Sequence, residues 1–400
     1  MRSKTGKSGP SFLEFIIVIS MMMSLTALSI DAMLPALPQI GADLGVQNTN
    51  SRQLVVAVIF LGIALGQLFF GPLSDKTGRK PAIYAGYAVY IAGALLSIYA
   101  FSFPVMILGR FLQGVGVAAP RAVTLAVVRD RYEGRAMARV MSFIMTVFIL
   151  VPMIAPTFGQ AVLLFFSWRS IFAGFVLIAL ITLVWFALRI PETLAPENRA
   201  PFTLRRIFDT TLEIVRNRTA IGYTVSAGLV GGAFLGYLNS AQQIFQEQYA
   251  LGTRFPLYFA VVSFSIGLAS LLNANLVMRF GMRFLVRRSL IFIVGLSILA
   301  FGIALLFAGQ PPLWFWMFYL NISFFGIGIL FGNQNAMAML PLGHLAGIGA
   351  AVVGSLSTLI QMPFGTVIGQ SYNGTVLPLI TGIGLLCGLS IIVVRWVESK

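Results

Sequence analysis

The sequence predicts an all-α integral membrane protein of twelve spanning helices in two six-helix halves. Three observations predict it. Of 400 residues 58% are hydrophobic and 10% charged, with mean hydropathy +0.91, too apolar for a water-soluble domain of this size. Apolar runs of about 20 residues, each able to cross ~30 Å of hydrocarbon as a helix, recur along the chain. One long charged break, residues 191–218, splits the runs six and six. The runs are continuously apolar, whereas barrel strands alternate, so helices are expected.

The first run, 12–38, follows MRSKTGKSGP and begins like a signal peptide. No small-residue cleavage site follows and the run is long enough to span, so an uncleaved first helix is expected. Runs 52–74 and 81–102 flank the polar turn GPLSDKTGRK, and run 104–130 contains Arg110 and Arg121. In run 136–162, Pro152 and Pro156 remove two backbone donors from one face and should bend the helix. Run 167–190 completes a first domain, 1–190. The break carries Pro191, Pro196 and Pro201 and forms a linker, 191–218. The second domain, 219–400, holds runs 219–247, 255–280, 284–309, 312–341, 346–371 and 375–397.

The halves repeat. A shift of about 203 residues lays GPLSDKTGRK (71–80) over ANLVMRFGMR (274–283), matching Gly78 to Gly281 and Asp75 to Met278. Two related halves around a cavity form a transporter plan with substrate near the midplane. Gly62/Gly66, Gly228/Gly232/Gly236 and Gly365/Gly369 have the spacing of close helix packing.

The net charge of +15 comes from 27 cations and 12 acids. With the N-terminus inside, 22 of the 27 cations fall in inside loops; the first and last of these are Arg2, Lys4, Lys7 and Lys400. The bias places both termini in the cytoplasm and makes the lipid bilayer the partner, with no call for nucleic acid. A lone Cys387 and a lone His344 argue against disulfide and metal chemistry. TGKS (5–8) lacks the earlier glycine and strand of a phosphate loop, and GVGVAA (114–119) lies inside an apolar helix. No cofactor is expected beyond a proton gradient.

Several stretches together resemble the major facilitator superfamily, specifically its Bcr/CflA type of drug:proton antiporter. GPLSDKTGRKP (71–81) resembles the loop motif after the second helix, and LGRFLQGVGVAA (108–119) the arginine-bearing motif of the fourth. SIDAMLPALPQIGADLG (29–45) is similar to the end of the first helix in that group. VPMIAPTFGQ (151–160) resembles the antiporter motif of the fifth, with Gly159 followed by Gln160 where a second glycine is usual. GNQNAMAMLPLGHLAGIGAAVVGSL (332–356) resembles the passage between the tenth and eleventh helices. The resemblance covers nearly the whole chain. It implies a twelve-helix transporter exporting small amphipathic compounds against protons from a bacterial inner membrane, as a monomer and without catalysis. A transporter of one metabolite on the same fold is the alternative.

Asp31 lies about seven residues before the outer end of its run and Arg110 about six after the start of its own, so both sit ~9–11 Å deep. An intramembrane acid is costly unless it faces a cavity or partner. Desolvation favours its protonated form and a nearby arginine its ionised one, so substrate can tip the balance. A fixed Asp31–Arg110 pair stapling two helices is the alternative. Ser20, Ser24 and Asp31 recur at steps of four and seven and share one stripe. With Gln113 and Arg121 they are expected to meet water in the cavity, Arg121 serving an anion or a helix end. In the second half Asn239, Gln242, Asn333, Asn335 and Gln361 are candidate substrate contacts. By resemblance, Gly71, Asp75, Gly78, Arg79 and Asp130 form a gate whose charge cluster locks the outward-open state; a solvated basic turn is the alternative.

Overall fold

A computed structural model describes residues 10–399. Arg2, Lys4, Lys7, Lys400 and the TGKS stretch lie outside the described residues.

The first half consists of α1 (Phe12–Asp31), α2 (Leu37–Asp43), α3 (Leu54–Thr77), α4 (Arg79–Ile98), α5 (Phe103–Arg131), α6 (Gly134–Phe165) and α7 (Arg169–Arg189). The linker contains a helix, α8 (Leu204–Arg216). The second half comprises α9 (Arg218–Gln242), α10 (Phe255–Phe280), α11 (Met282–Leu306), α12 (Leu313–Met339), α13 (Ala346–Gln370) and α14 (Leu377–Glu398). With their short extensions, twelve of these segments are long and apolar enough to span a membrane. The fold is that of two six-helix halves.

Local chemistry sets the helix ends. Ser11 and Glu14 form a reciprocal cap at the start of α1. The predicted run 12–38 is divided: α1 ends at Asp31, and Pro35 and Pro38 restart the chain as a short 3₁₀ turn and then α2. α6 runs as one helix through Pro152 and Pro156. α9 continues as a π-helical turn, Gln243–Gln248.

The repeat is visible in the backbone. Gly78, between α3 and α4, has φ +103°, and Gly281, between α10 and α11, has φ +78°. Both lie in the region that favours glycine, so each abrupt turn requires one.

Glycines also permit the closest helix crossings. A Cβ on Gly66 would meet the Val115 carbonyl at 2.5 Å, and one on Gly369 would meet the Asn239 Cβ at 2.7 Å. Thus α3 packs on α5, and α13 on α9, at backbone distance. The halves meet along α3 against α13 and α6 against α10.

Candidate functional site

Arg110 is fully buried on α5. Its Nε donates to the Val55 carbonyl at 2.9 Å, Nη2 to the Ser29 carbonyl at 2.8 Å and Nη1 to Gln113 Oε1 at 2.5 Å. It therefore ties α1, α3 and α5 together, with no ion pair to Asp31. The Asp31–Arg110 staple is absent, because the guanidinium is saturated by backbone carbonyls and an amide. Gln113, expected in the cavity, is fully buried, and its amide donates to Ser97 at 3.4 Å.

Asp31 is 5% exposed at the end of α1 and forms no ion pair among the described residues. Ser20 and Ser24, on the same stripe, have buried hydroxyls without partners. Buried hydroxyls in these helices otherwise tend to bond the carbonyl four residues earlier, as in Ser29, Thr124, Thr182, Thr224 and Ser240. Ser20 and Ser24, like Thr26, thus leave their hydroxyls free of the α1 carbonyls. On α9 of the other half, the Tyr237 hydroxyl is buried and unpartnered, in the neighbourhood of Asp31. Its ring stacks on Phe259 at 5.7 Å and meets Phe324 edge-on at 4.6 Å.

The antiporter-like motif lies directly behind this acid. Ala155, Pro156 and Gly159 are buried, while Pro152 is half-buried. A Cβ on Gly159 would strike the carbonyl of Ala32, the residue after Asp31. No side chain separates α6 from the end of α1.

The other expected contacts are scattered. The Arg121 side chain has no hydrogen bond or ion pair among the described residues and is partly buried. Asn239 donates to the Gly365 carbonyl at 3.0 Å, and Gln361 packs over Gly231. Gln242 bonds Gln246 and Glu247 at 3.1 and 3.2 Å, near the end of α9. Asn333 pairs with Asn273 at 2.8 Å, whereas Asn335 is exposed and donates to its own helix. Four of these five amides bond within the second half.

At the charged end, Asp75, Arg79 and Asp130 come together. Arg79 reaches Asp75 at 2.5 Å, Asp130 at 2.8 Å and Ser74 at 2.9 Å. Glu192 of the linker accepts the backbone N–H groups of Arg79 (2.9 Å), Lys80 (3.0 Å), Thr193 (2.9 Å) and Leu194 (3.0 Å). Partial burial works to raise its pKa, but those four donors outweigh it and hold the carboxyl below its ordinary range. Glu192 thereby covers the N-terminus of α4. Among the described residues the cluster bonds only within the first half and its linker; Gly71 meets the second half, at Ala351 of α13.

Bonds across the halves concentrate at the opposite end. Asn50 donates to the carbonyls of Gln370 (2.9 Å) and Tyr372 (2.8 Å), and Gln370 donates to the Asn50 carbonyl at 2.8 Å. Gln243 donates to Asn50 at 2.9 Å and bonds Gln53, while Arg52 pairs with Glu247 at 3.4 Å. Deeper in, Ser355 donates to the Ala64 carbonyl at 2.7 Å. The molecule is clasped at this end. These amides escaped sequence reasoning because polar residues at the ends of runs look like ordinary loop residues.

The sequence profile described as Major Facilitator Superfamily matches residues 18–365. The chain belongs to this superfamily. It is 27% identical over 390 residues to the bicyclomycin resistance protein homolog of Haemophilus influenzae, covering 96% of each chain. It is 26% identical over 395 residues to multidrug resistance protein MdtL of Citrobacter koseri, again covering 96% of each. The crystal structure of a D-xylose-proton symporter superposes with TM-score 0.73 at 15% identity, covering 96% of this chain and 97% of that one. The superfamily member described here is thus a multi-pass membrane transporter.

Proposed function

We propose that this transporter exports small amphipathic compounds in exchange for protons, by alternating access, with Asp31 as the proton carrier. One observation carries the reading: a nearly buried carboxylate, free of any ion pair among the described residues, ends α1 against α6, a helix that itself packs on the second half. A solitary acid at such depth faces a strong penalty for charge and exchanges its proton readily when a ligand or water arrives. A proton taken up from outside discharges Asp31; its release inside restores the charge and resets the carrier. Each charge crossing 100 mV supplies about 2.3 kcal/mol. The backbone contact of Gly159 with Ala32 couples the site to α6, and the amide clasp closes the end opposite the charged linker. Resistance proteins among the relatives support a drug-like substrate. The cation distribution supports a bacterial inner membrane, both termini in the cytoplasm, and a monomer suffices for the cycle. The proton gradient is the only drive required.

Expression in a drug-sensitive bacterium tests this. Accumulation of some compounds should fall, and a protonophore should restore it; unchanged accumulation of every compound tried would favour a single-metabolite transporter. Asp31→Asn should keep the fold and end pH-dependent transport. Proton coupling that survives this change overturns the role of Asp31.

A further inference from the structure

The turn between α10 and α11 carries the second copy of the α3–α4 motif without its acids. In the first copy, Asp75 and Asp130 neutralise Arg79. In the second, Met278 stands in the place of Asp75, and Arg279, Arg283, Arg287 and Arg288 fall within ten residues. All four are exposed, and none forms an ion pair among the described residues. The acid of this region, Glu398, accepts the Tyr223 hydroxyl at 3.0 Å, and of the four arginines Arg283 shares that neighbourhood.

Two of the remaining three cations are ordered by aromatic rings. The Arg279 guanidinium lies over the Phe280 ring at 5.1 Å, Phe280 stacks on Phe284 at 5.7 Å and 22°, and the Arg288 guanidinium lies over Phe284 at 5.3 Å. Two planar cations thus flank a pair of half-exposed rings, beside Met278 at 87% exposure. Cations that only set topology need no such order, since lysines anywhere in the loop would serve. Guanidinium forks match phosphate oxygens, and exposed rings at a helix end suit the boundary between headgroups and acyl chains.

We propose that the α10–α11 turn is a binding site for a phospholipid with an anionic headgroup. The anionic headgroup lies over the turn, drawn by Arg279, Arg287 and Arg288, and Met278, Phe280 and Phe284 enter the top of the acyl layer. The combination of charge and apolar surface selects a lipid over a free phosphate. The site is independent of the compound transported.

The test uses the full-length protein in detergent, titrated with phosphatidylglycerol, phosphatidylcholine or inorganic phosphate, with bound lipid counted by native mass spectrometry and unfolding followed by temperature. Phosphatidylglycerol should bind saturably and stabilise; the other two should not. Arg279→Gln with Arg288→Gln should weaken binding more than tenfold, at about fivefold per charge. Arg279→Lys with Arg288→Lys preserves loop charge, and with it insertion, yet should also weaken binding because lysine lacks the fork. Arg205→Gln with Arg206→Gln, on α8, should leave binding unchanged. Wild-type affinity in both double variants at positions 279 and 288, an equal loss in the α8 variant, or full stabilisation by inorganic phosphate would each overturn the site.

Discussion

Asn50 and Gln370 each donate from the side chain to the other's backbone carbonyl, at 2.9 and 2.8 Å, and so join the halves at the end away from the linker. Both groups are neutral and partly buried, so the clasp resists screening by salt. Opening must release several such bonds, each worth about 0.5–1.5 kcal/mol net.

Asn50→Ala removes three of them at once. The clasped-to-open ratio should fall roughly tenfold or more. Spin labels at Gln47 and Thr253, exposed in loops of the two halves, measure it: the variant should shift to longer distances. An unchanged distribution would place the closure elsewhere.

Arg110 tests whether charge or shape matters on α5. Its partners are two carbonyls and an amide, so lysine keeps the charge but cannot reach all three. Arg110→Lys should therefore lower thermal stability nearly as much as Arg110→Gln, at about 1–3 kcal/mol for each acceptor left unpaired. Rescue by lysine in a melting experiment would restore an electrostatic role.

Much of the architecture was legible in the sequence because lipid imposes a simple code. Twelve runs gave twelve spans, and the match of Gly78 to Gly281 reappears as two glycine-type turns. The charge cluster of Asp75, Arg79 and Asp130 followed from a specific motif. The amide network was not legible, since Asn50, Gln243 and Gln370 lie far apart in the chain and carry no spacing signal. Nor could periodicity say that Gln113 turns inward to Ser97 or that Asn333 meets Asn273. Polar residues in apolar helices announce a partner without naming it.

Gly159 should tolerate no side chain. A Cβ there collides with the Ala32 carbonyl, and a backbone atom cannot swing aside as a flexible side chain does. Gly159→Ala should cost about 1–3 kcal/mol through overpacking and reduce transport further than that loss explains. Melting temperature and uptake in vesicles, measured together, check this; normal transport would remove α6 from the coupling.

Glu192 gives a pH signature. Its folded pKa lies below the ordinary value of 4.5, so its contribution is complete above that value and disappears as pH falls through the lower folded one. Wild type should therefore be more stable than Glu192→Gln at neutral pH, and the difference should shrink below about pH 4.5. Melting curves of both proteins across that range decide the point; a gap independent of pH would mean the carboxylate's charge is irrelevant.

Tyr237 separates folding from function. Its hydroxyl is buried without a partner, which costs about 1–3 kcal/mol, whereas its ring packs on Phe259 and Phe324. Tyr237→Phe keeps the packing and removes the orphaned group, so melting temperature should hold or rise. The hydroxyl belongs to the other half yet lies in the neighbourhood of Asp31, so its loss should still raise KM or shift the pH profile of transport. A more stable protein that moves its substrate less well would mean the orphaned oxygen is kept for a ligand or proton that the resting fold does not supply. Transport unchanged in both measures would return Tyr237 to the packing of α9.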